Sequence, residues 1–268
     1  MPEGDFMWKR QARTNLHPTG FPDLEEMEFA ANFIPSAFGS GDIYNIFQLD
    51  EKNIGLYNID VSGHGFAASL FSASLKQKLD QDPESCGWTK ISQTEQPYCI
   101  VHSPLEVASA LDKEDMLGKY GRFFTMVYAV VNIKDGLVSY YRAGHNLPLV
   151  VHDGQQSEFV QGGGGPIGLG ISLERDKGQE IKLLPGDQFI LFSDGLTDAY
   201  SPKTNSRYGL DRLRKTLTGH YSLPLEESFT SLISDVKAFV GKDSFSDDIS
   251  IIGFKWRGEK SESKDLLQ

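Results

Sequence analysis

The sequence predicts an α+β protein in which antiparallel sheets are covered by helices. Segments rich in β-branched and aromatic residues come in blocks, and segments with helical character lie between those blocks. The strict alternation of strand and helix that is typical of a parallel sheet does not occur. Of the 268 residues, 39% are hydrophobic and 24% are charged, a composition typical of a folded chain with a sizeable core.

The first block begins where polar and apolar residues start to alternate, at Met27, Phe29, Ala31 and Phe33, which predicts a half-buried strand. Residues 42–49 and 53–60 predict two further strands that form a hairpin, and 63–79 predicts a helix rich in Ala, Leu and Lys. Residues 1–24 contain several Pro and Gly, so we expect an N-terminal lead-in or linker there. The main domain is therefore expected over 25–256.

Residues 80–102 are polar and broken by prolines, which predicts an insertion loop. This stretch contains Cys86 and Cys99, which we interpret as two free thiols in a reducing cytoplasm. A helix is predicted over 103–115, because Ser103, Pro104 and Glu106 form a capping box with proline at the first helical position.

The second block predicts strands over 123–133, 137–143 and 148–153, followed by a glycine-rich loop over 162–170 and a buried strand over 188–194. Helices are predicted over 208–217 and 225–240, and a last strand over 248–256. Residues 257–268 are predicted to be a polar tail.

Charge and hydropathy exclude several classes of protein. The net charge of −11 argues against nucleic-acid binding, which needs a basic surface. The chain has no run of about 18 apolar residues that would span a membrane. The N-terminus lacks the apolar core of a signal peptide, so a cytoplasmic location is expected.

Candidate functional residues are acids at the ends of predicted strands. Asp42, Asp60, Asp194 and the pair Asp247 and Asp248 each lie beside small residues at such an end. Any one of them is also explained by the preference of Asp for turns. Converging carboxylates, however, repel one another unless a cation lies between them. Oxygen ligands favour Mg²⁺ or Mn²⁺, whereas no cysteine or paired-histidine spacing indicates zinc.

Several motifs then occur in a recognisable order: SGDIYN (40–45), DVSGHGFAASL (60–70), GRFFTMVYAVV (121–131), YRAGHNLPLVV (141–151), GPIGLG (165–170), LLPGDQFILFSDGLTDAY (183–200) and DDISII (247–252). Together they resemble the SpoIIE-type branch of the metal-dependent protein phosphatases (PPM), relatives of protein phosphatase 2C. The lead-in QARTNLHP (11–18) also resembles the segment that precedes this domain in the family. The resemblance runs from about residue 11 to residue 256.

The resemblance implies two antiparallel sheets packed face to face with helices outside, an αββα sandwich. It also implies a serine/threonine protein phosphatase with two Mn²⁺ or Mg²⁺ ions, which activate water for in-line attack at phosphorus. By motif, Asp60 would bridge both ions and the Val61 carbonyl would bind one of them. Asp194 and Asp247 would complete the other, and Asp42 would bind directly or through water.

Three further side chains are candidates for roles beside the metals. His64, four residues after Asp60, is a candidate general acid or phosphate contact; the alternative is a loop histidine at the start of a helix. His145 is interpreted as ordering a turn near the cleft. For Arg122, pairing with the substrate phosphate and pairing with a surface carboxylate both remain open.

The substrates implied by the resemblance are phosphorylated proteins, in particular anti-sigma-factor antagonists of bacterial partner-switching pathways. A sensor or receiver domain is the implied regulatory partner. The alternative is a catalytically weak or inactive binding module, because Asn45 stands where the family often has an acid. A phosphodiesterase or nuclease that uses the same ions is disfavoured by the acidic charge.

Overall fold

The computed structural model describes residues 17–36, 40–63, 65–80, 88–92, 99–114, 119, 121–154, 156–170, 173, 177–241 and 245–258. The strands are β1 (Met27–Ile34), β2 (Ile43–Gln48), β3 (Asn53–Val61), β4 (Lys90–Ser92), β5 (Cys99–Val101), β6 (Phe124–Asn132), β7 (Leu137–Ala143), β8 (Leu149–Val151), β9 (Ser157–Phe159), β10 (Gln179–Lys182), β11 (Gln188–Phe192), β12 (Tyr200–Ser201), β13 (Ser206–Arg207) and β14 (Ile249–Trp256). The helices are α1 (Phe66–Leu79), α2 (Pro104–Asp112), α3 (Asp194–Thr197), α4 (Leu210–Gly219) and α5 (Leu225–Val240).

Two sheets of five strands form the centre of the described structure. Sheet one has the order β1-β14-β11-β8-β9, and sheet two has the order β10-β7-β6-β3-β2. Every neighbouring pair within these sheets is antiparallel. The predicted α+β fold with antiparallel sheets is therefore confirmed.

Apolar side chains form three layers, as expected when two sheets have helices on their outer faces. The layer between the sheets includes Leu56 from sheet two and Phe189, Phe254 from sheet one. A second layer lies between sheet one and the helices α4 and α5. A third lies between sheet two and the helices α1 and α2. Because side chains alternate along a strand, this layering identifies the face to which each strand residue belongs.

The helix over 103–115 begins as predicted, whereas other local features differ from the sequence interpretation. The Ser103 hydroxyl accepts from the Glu106 amide at 3.3 Å, and the Glu106 carboxylate accepts from the Ser103 amide at 2.7 Å. Within 80–102, where a loop was expected, β4 and β5 pair as a short ribbon. The helix α3 and the strands β9 and β10 were not predicted, because elements of three or four residues carry too little periodicity.

Part of the expected lead-in packs onto the domain. The His17 ring lies 3.9 Å from the Phe33 ring and 4.8 Å from the Tyr44 ring, measured between centroids. Phe21 and Leu24 pack against the layer between the sheets. His17, Phe21 and Leu24 therefore pack as part of the domain, although they lie within the segment expected to be a lead-in.

Two further expectations from the sequence concern the cysteines and membrane-spanning helices. Cys86 and the side chain of Cys99 lie outside the described residues, so their free thiols stay a prediction. None of the helices in the described ranges combines the length and apolarity needed to cross a lipid bilayer.

An ionisable cluster at the edge of sheet one predicts a pH dependence of stability. The His152 ring nitrogens lie 3.1 Å from Asp187 and 3.3 Å from Glu158. Partial burial lowers the pKa of His152, but the hydrogen bonds to Asp187 and Glu158 outweigh it and raise the pKa above its ordinary value. Because the raised pKa belongs to the folded state, the protonated ring stabilises the fold. This contribution is complete below the unfolded pKa of about 6.5 and is lost as pH rises through the folded pKa.

We therefore expect His152→Gln to lower the free energy of unfolding at pH 5.5 more than at pH 8.5, by less than about 1 kcal/mol because the pair is partly exposed. Urea unfolding at both pH values measures this difference. A substitution cost that is equal at both pH values, or larger at pH 8.5, contradicts the assignment.

Candidate metal centre

Sheet two contributes two carboxylates to one end of the sandwich. Asp42 precedes β2, and Asp60 is the last residue but one of β3. Ile43 pairs with Ile59, so Asp42 and Asp60 lie close to each other across the two strands. Asp60 shares its face of the sheet with Leu56, which belongs to the layer between the sheets. Both carboxylates therefore face sheet one.

Sheet one contributes the other candidate acids at the same end. Phe192 of β11 pairs with Ile251 of β14, and beyond this pair the Ser193 amide donates to the Ser250 carbonyl at 2.9 Å. Asp194 follows directly as the first residue of α3. Asp247 and Asp248 precede β14, so the antiparallel register brings them beside Asp194.

Hydroxyl and amide groups that the sequence interpretation missed line the base of this cluster. The buried Ser250 hydroxyl donates to Asp42 Oδ2 at 2.7 Å and lies 3.1 Å from Asn58 Oδ1. Ser193 Oγ accepts from the Ser250 amide at 2.9 Å. Ser250 therefore connects the two sheets at the position of Asp42. The alternation in DDISII, which places a serine on the inward face of an apolar strand, is the signal that identifies it.

Asp248 connects the segment between β1 and β2 to the start of β14. Its carboxylate accepts from the Ser36 amide at 2.8 Å, the Ser36 hydroxyl at 3.0 Å and the Gly41 amide at 3.0 Å. Only 5% of Asp248 is exposed, so these three donors provide most of its solvation. Asp248 therefore holds the backbone next to Asp42 in place.

The cluster concentrates like charges at the end of the sandwich, where Asp42 and Asp248 are buried, Asp60 is half-buried, and Asp194 and Asp247 are exposed. The pKa of Asp60 is raised to about 7, first by burial and then by the charges of Asp194, Asp247 and Asp248. A hydrogen bond with Asp42 acts in the opposite direction and lowers this pKa. Burial also raises the pKa of Asp42 well above its ordinary range, and the charge of Asp60 raises it further. The pKa of Asp194 is raised by burial and by Asp247. Among the described residues, no Lys or Arg forms an ion pair with these carboxylates.

The Val61 carbonyl lies beside this cluster without a partner from the adjoining strands. The Phe124 amide, its neighbour on one side, donates to the Ile167 carbonyl at 3.1 Å. The Gly41 amide on the other side donates to Asp248. A Cβ atom on Gly41 would lie 2.8 Å from the Val61 oxygen, so only glycine allows this close approach.

The donors fit a hard cation by their chemistry. They are carboxylate oxygens and one backbone carbonyl, and their mutual repulsion shows a deficit of positive charge. In the ranges described above, no group of three or more His, Cys, Asp or Glu is placed to hold a metal ion. Mg²⁺ usually binds through one or two carboxylates and keeps several waters, so it does not require such a group.

The remaining candidates differ in their placement. His64 lies outside the described residues, so its role stays a prediction. His145 is buried, its Nδ1 lies 2.7 Å from Thr125 Oγ1, and burial lowers its pKa to about 4. Arg142 also donates to the His145 carbonyl at 2.9 Å, so Arg142 holds the backbone here. The role of His145 in ordering the turn stays a prediction. Arg122 donates to the Ser62 carbonyl.

Asn45 lies on the opposite face of β2 from the cluster. Its neighbours Ile43 and Phe47 on that face pack against the layer beneath α1 and α2. The Asn45 side-chain oxygen accepts from the Ile46 amide at 2.9 Å. The replacement of an acid by Asn45 therefore removes no charge from among the clustered aspartates.

The fold is that of the protein phosphatase 2C class. The SiaA-PP2C domain of Pseudomonas aeruginosa superposes with a TM-score of 0.74 at 20% sequence identity, covering 94% of this chain and 96% of that one. The model of the Stage II sporulation protein E (SpoIIE) family matches residues 50–257, which is most of the sequence. The chain belongs to the SpoIIE family.

Two curated relatives match over most of this chain. Protein IcfG from Synechocystis is 26% identical over 237 residues, which is 81% of this chain and 36% of that protein. The phosphoserine phosphatase RsbU from Bacillus subtilis is 29% identical over 182 residues, which is 67% of this chain and 49% of that protein. The chain thus spans half or less of the length of these relatives.

The repulsion within the cluster predicts that a neutral side chain at position 60 stabilises the metal-free fold. We expect Asp60→Asn to raise the free energy of unfolding by roughly 1–3 kcal/mol in chelator at pH 8, because one buried charge is removed. The same variant should lose the stabilisation that Mn²⁺ gives to the wild type. Urea unfolding with chelator or with Mn²⁺ measures both effects.

Asp211→Asn is the matched control, because the Asp211 side chain is 98% exposed on α4. It should leave both quantities unchanged. Destabilisation of the metal-free chain by Asp60→Asn would contradict the electrostatic account.

The close approach at Gly41 predicts a second effect. Gly41→Ala would press a methyl group against the Val61 carbonyl oxygen, 2.8 Å away, and displace it. We expect the Mn²⁺ concentration for half-maximal thermal stabilisation to rise about tenfold, as for other disturbances around metal ligands. Gly178→Ala is the control, because nothing lies within 4 Å of its added carbon. An unchanged Mn²⁺ midpoint in Gly41→Ala would exclude the Val61 carbonyl as a ligand.

Proposed function

We propose that the chain is a metal-dependent serine/threonine protein phosphatase. The observation that carries the proposal is that Asp42, Asp60, Asp194 and Asp247 come together at one end of the sandwich. The pKa values of Asp42, Asp60 and Asp194 are raised, and among the described residues no Lys or Arg forms an ion pair with any of the four. A group of repelling carboxylates that includes the buried Asp42 and the half-buried Asp60 is costly to a protein that does not use it. Membership in the SpoIIE family supports the same conclusion.

In this proposal Asp60 would be shared by two Mn²⁺ or Mg²⁺ ions, the Val61 carbonyl would hold one of them, and Asp194 with Asp247 would hold the other. Water would complete the coordination, because no three acids of the described residues are already gathered around one point. Asp42 is proposed to bind an ion directly or through a water molecule. When bound, these ions lower the pKa of water and stabilise the charge that develops on a transferring phosphoryl group. Two ions rather than one are proposed because the resemblance to the metal-dependent protein phosphatases implies two.

The residues of the chain supply position and solvation for this chemistry. Ser250 holds Asp42 by a hydrogen bond, and Asp248 holds the backbone at Gly41. These contacts fix ligand oxygens before any ion arrives, which reduces the reorganisation needed for catalysis. His64 is proposed to donate a proton to the leaving seryl or threonyl oxygen, or to contact the phosphate.

The proposed substrate is a phosphoserine or phosphothreonine on a protein. RsbU, which is named a phosphoserine phosphatase, shares 29% identity with this chain. Within this class we propose an anti-sigma-factor antagonist of a bacterial partner-switching pathway, with a sensor or receiver domain as regulator. The net charge of −11 makes a nucleic-acid phosphodiester a poorer substrate.

The principal test is Mn²⁺-dependent release of phosphate. Wild type should hydrolyse p-nitrophenyl phosphate and a phosphoserine protein, and Asp194→Asn and Asp247→Asn should each lower the rate by about 100-fold or more. Asp211→Asn should retain the wild-type rate, since it changes the same charge far from the site.

A wild type that stays inactive with Mn²⁺ and Mg²⁺ on both substrates, while still binding a phosphoprotein, would favour the binding-module alternative. Hydrolysis of nucleic acid but not of phosphoprotein would favour the diesterase reading. Loss of activity in Asp211→Asn would show that the effects of the other variants come from charge alone.

A further inference from the structure

The ladder between β3 and β6 continues one step past the strands in an altered form. Ser62 lies opposite Phe123, and the Ser62 amide donates to the Phe123 carbonyl at 2.9 Å. In a regular antiparallel pair, the Phe123 amide would return a bond to the Ser62 carbonyl. Instead, it donates to the Ser62 hydroxyl at 3.2 Å. The Ser62 hydroxyl thus accepts this hydrogen bond in place of the Ser62 carbonyl, and the carbonyl takes no part in the ladder.

The guanidinium of Arg122 takes up the released carbonyl. Arg122 Nη1 donates to the Ser62 oxygen, across 60 residues of sequence. The neighbouring Gly63 has a φ of 84°, and a Cβ atom there would lie 2.7 Å from Arg122 Nη1. The missing side chain at position 63 therefore leaves the space that the guanidinium occupies.

Two described residues that follow β3, Gly63 and Gly65, are glycines and restrict the backbone little. Gly63 and Gly65 both have positive φ angles, of 84° and 85°, and glycine is the residue with the largest conformational entropy to lose. Gly65 is also the N-cap of α1, so this helix begins without a capping side chain. An external anchor is therefore needed to hold the turn in one conformation.

We propose that Arg122 is a positioning residue that clamps the turn after β3 and thereby fixes the Asp60 carboxylate and the Val61 carbonyl. The inference rests on the proposed function for its metal, because these two residues are its proposed ligands. Among the described residues, Arg122 forms no ion pair, so its charge is not committed to a surface carboxylate. A charge-assisted bond to a carbonyl is stronger than a neutral one, which suits a clamp.

The test compares Arg122→Met, which removes every donor, with Arg122→Lys, which keeps a charged donor without the planar fork. Arg257→Met is the matched control, because Arg257 pairs with Glu28 at the other end of β14. Urea unfolding in chelator first establishes that each variant is folded. Hydrogen exchange of peptides covering 60–70 in chelator then reports on the turn without metal. Thermal stabilisation by Mn²⁺ alone gives the metal affinity.

We expect Arg122→Met to accelerate exchange in this segment about tenfold and to raise the Mn²⁺ midpoint about tenfold or more. Arg122→Lys should lie between this variant and wild type, and Arg257→Met should match wild type in both readouts. Exchange and midpoint within twofold of wild type in Arg122→Met would overturn the inference. If KM for a phosphoprotein rises while both readouts stay unchanged, Arg122 contacts the substrate phosphate and the positioning role is overturned as well.

The experiments test the role of Arg122 and the proposed function separately. If the wild type binds Mn²⁺ but hydrolyses no phosphoprotein, the proposed function is wrong. Hydrogen exchange and the Mn²⁺ midpoint of thermal stabilisation still decide the role of Arg122. If the wild type shows no stabilisation by Mn²⁺, metal binding is excluded. Hydrogen exchange alone then decides whether Arg122 clamps the turn.

Discussion

Electrostatic repulsion among aspartates gathered at one end of the sandwich is the constraint on which the site depends. Burial and neighbouring carboxylates raise the pKa of Asp60 to about 7. Burial and the charge of Asp60 raise the pKa of Asp42 well above its ordinary value. The apolar layers on both faces of the two sheets stabilise a fold that tolerates this cost. A divalent cation bound at the proposed site would turn the same repulsion into attraction and would link the stability of the fold to the proposed activity.

Polar groups at the inner ends of the strands keep the cluster in register. Ser250 bonds to Asp42, and Asp248 bonds to the amide of Gly41, so strands from both sheets are tied together where the acids meet. Arg122 extends this arrangement to the turn after β3 through the Ser62 carbonyl. The candidate site therefore consists of acids at or next to the ends of strands and of a few hydrogen bonds that hold the adjoining segments.

Some elements were predictable because their signals are local. The capping box of Ser103 and Glu106 is contained in four residues, and the long strands show their alternation directly. The helix α3 and the ribbon of β4 and β5 were missed because they are too short for a period to be counted. The packing of His17 was also missed, since its partners Phe33 and Tyr44 belong to strands that follow it in the chain.

Local pattern alone identified the acids at strand ends, because a strand reveals its buried face by alternation and its end by turn residues. It also indicated a sheet-rich α+β chain. Only the tertiary structure decided that Asp42 meets Ser250 across 208 positions, and that Asn45 faces away from the cluster. The reason is that periodicity reports which side of a strand is covered but not by which other strand. The pairing of strands depends on contacts that no local window contains.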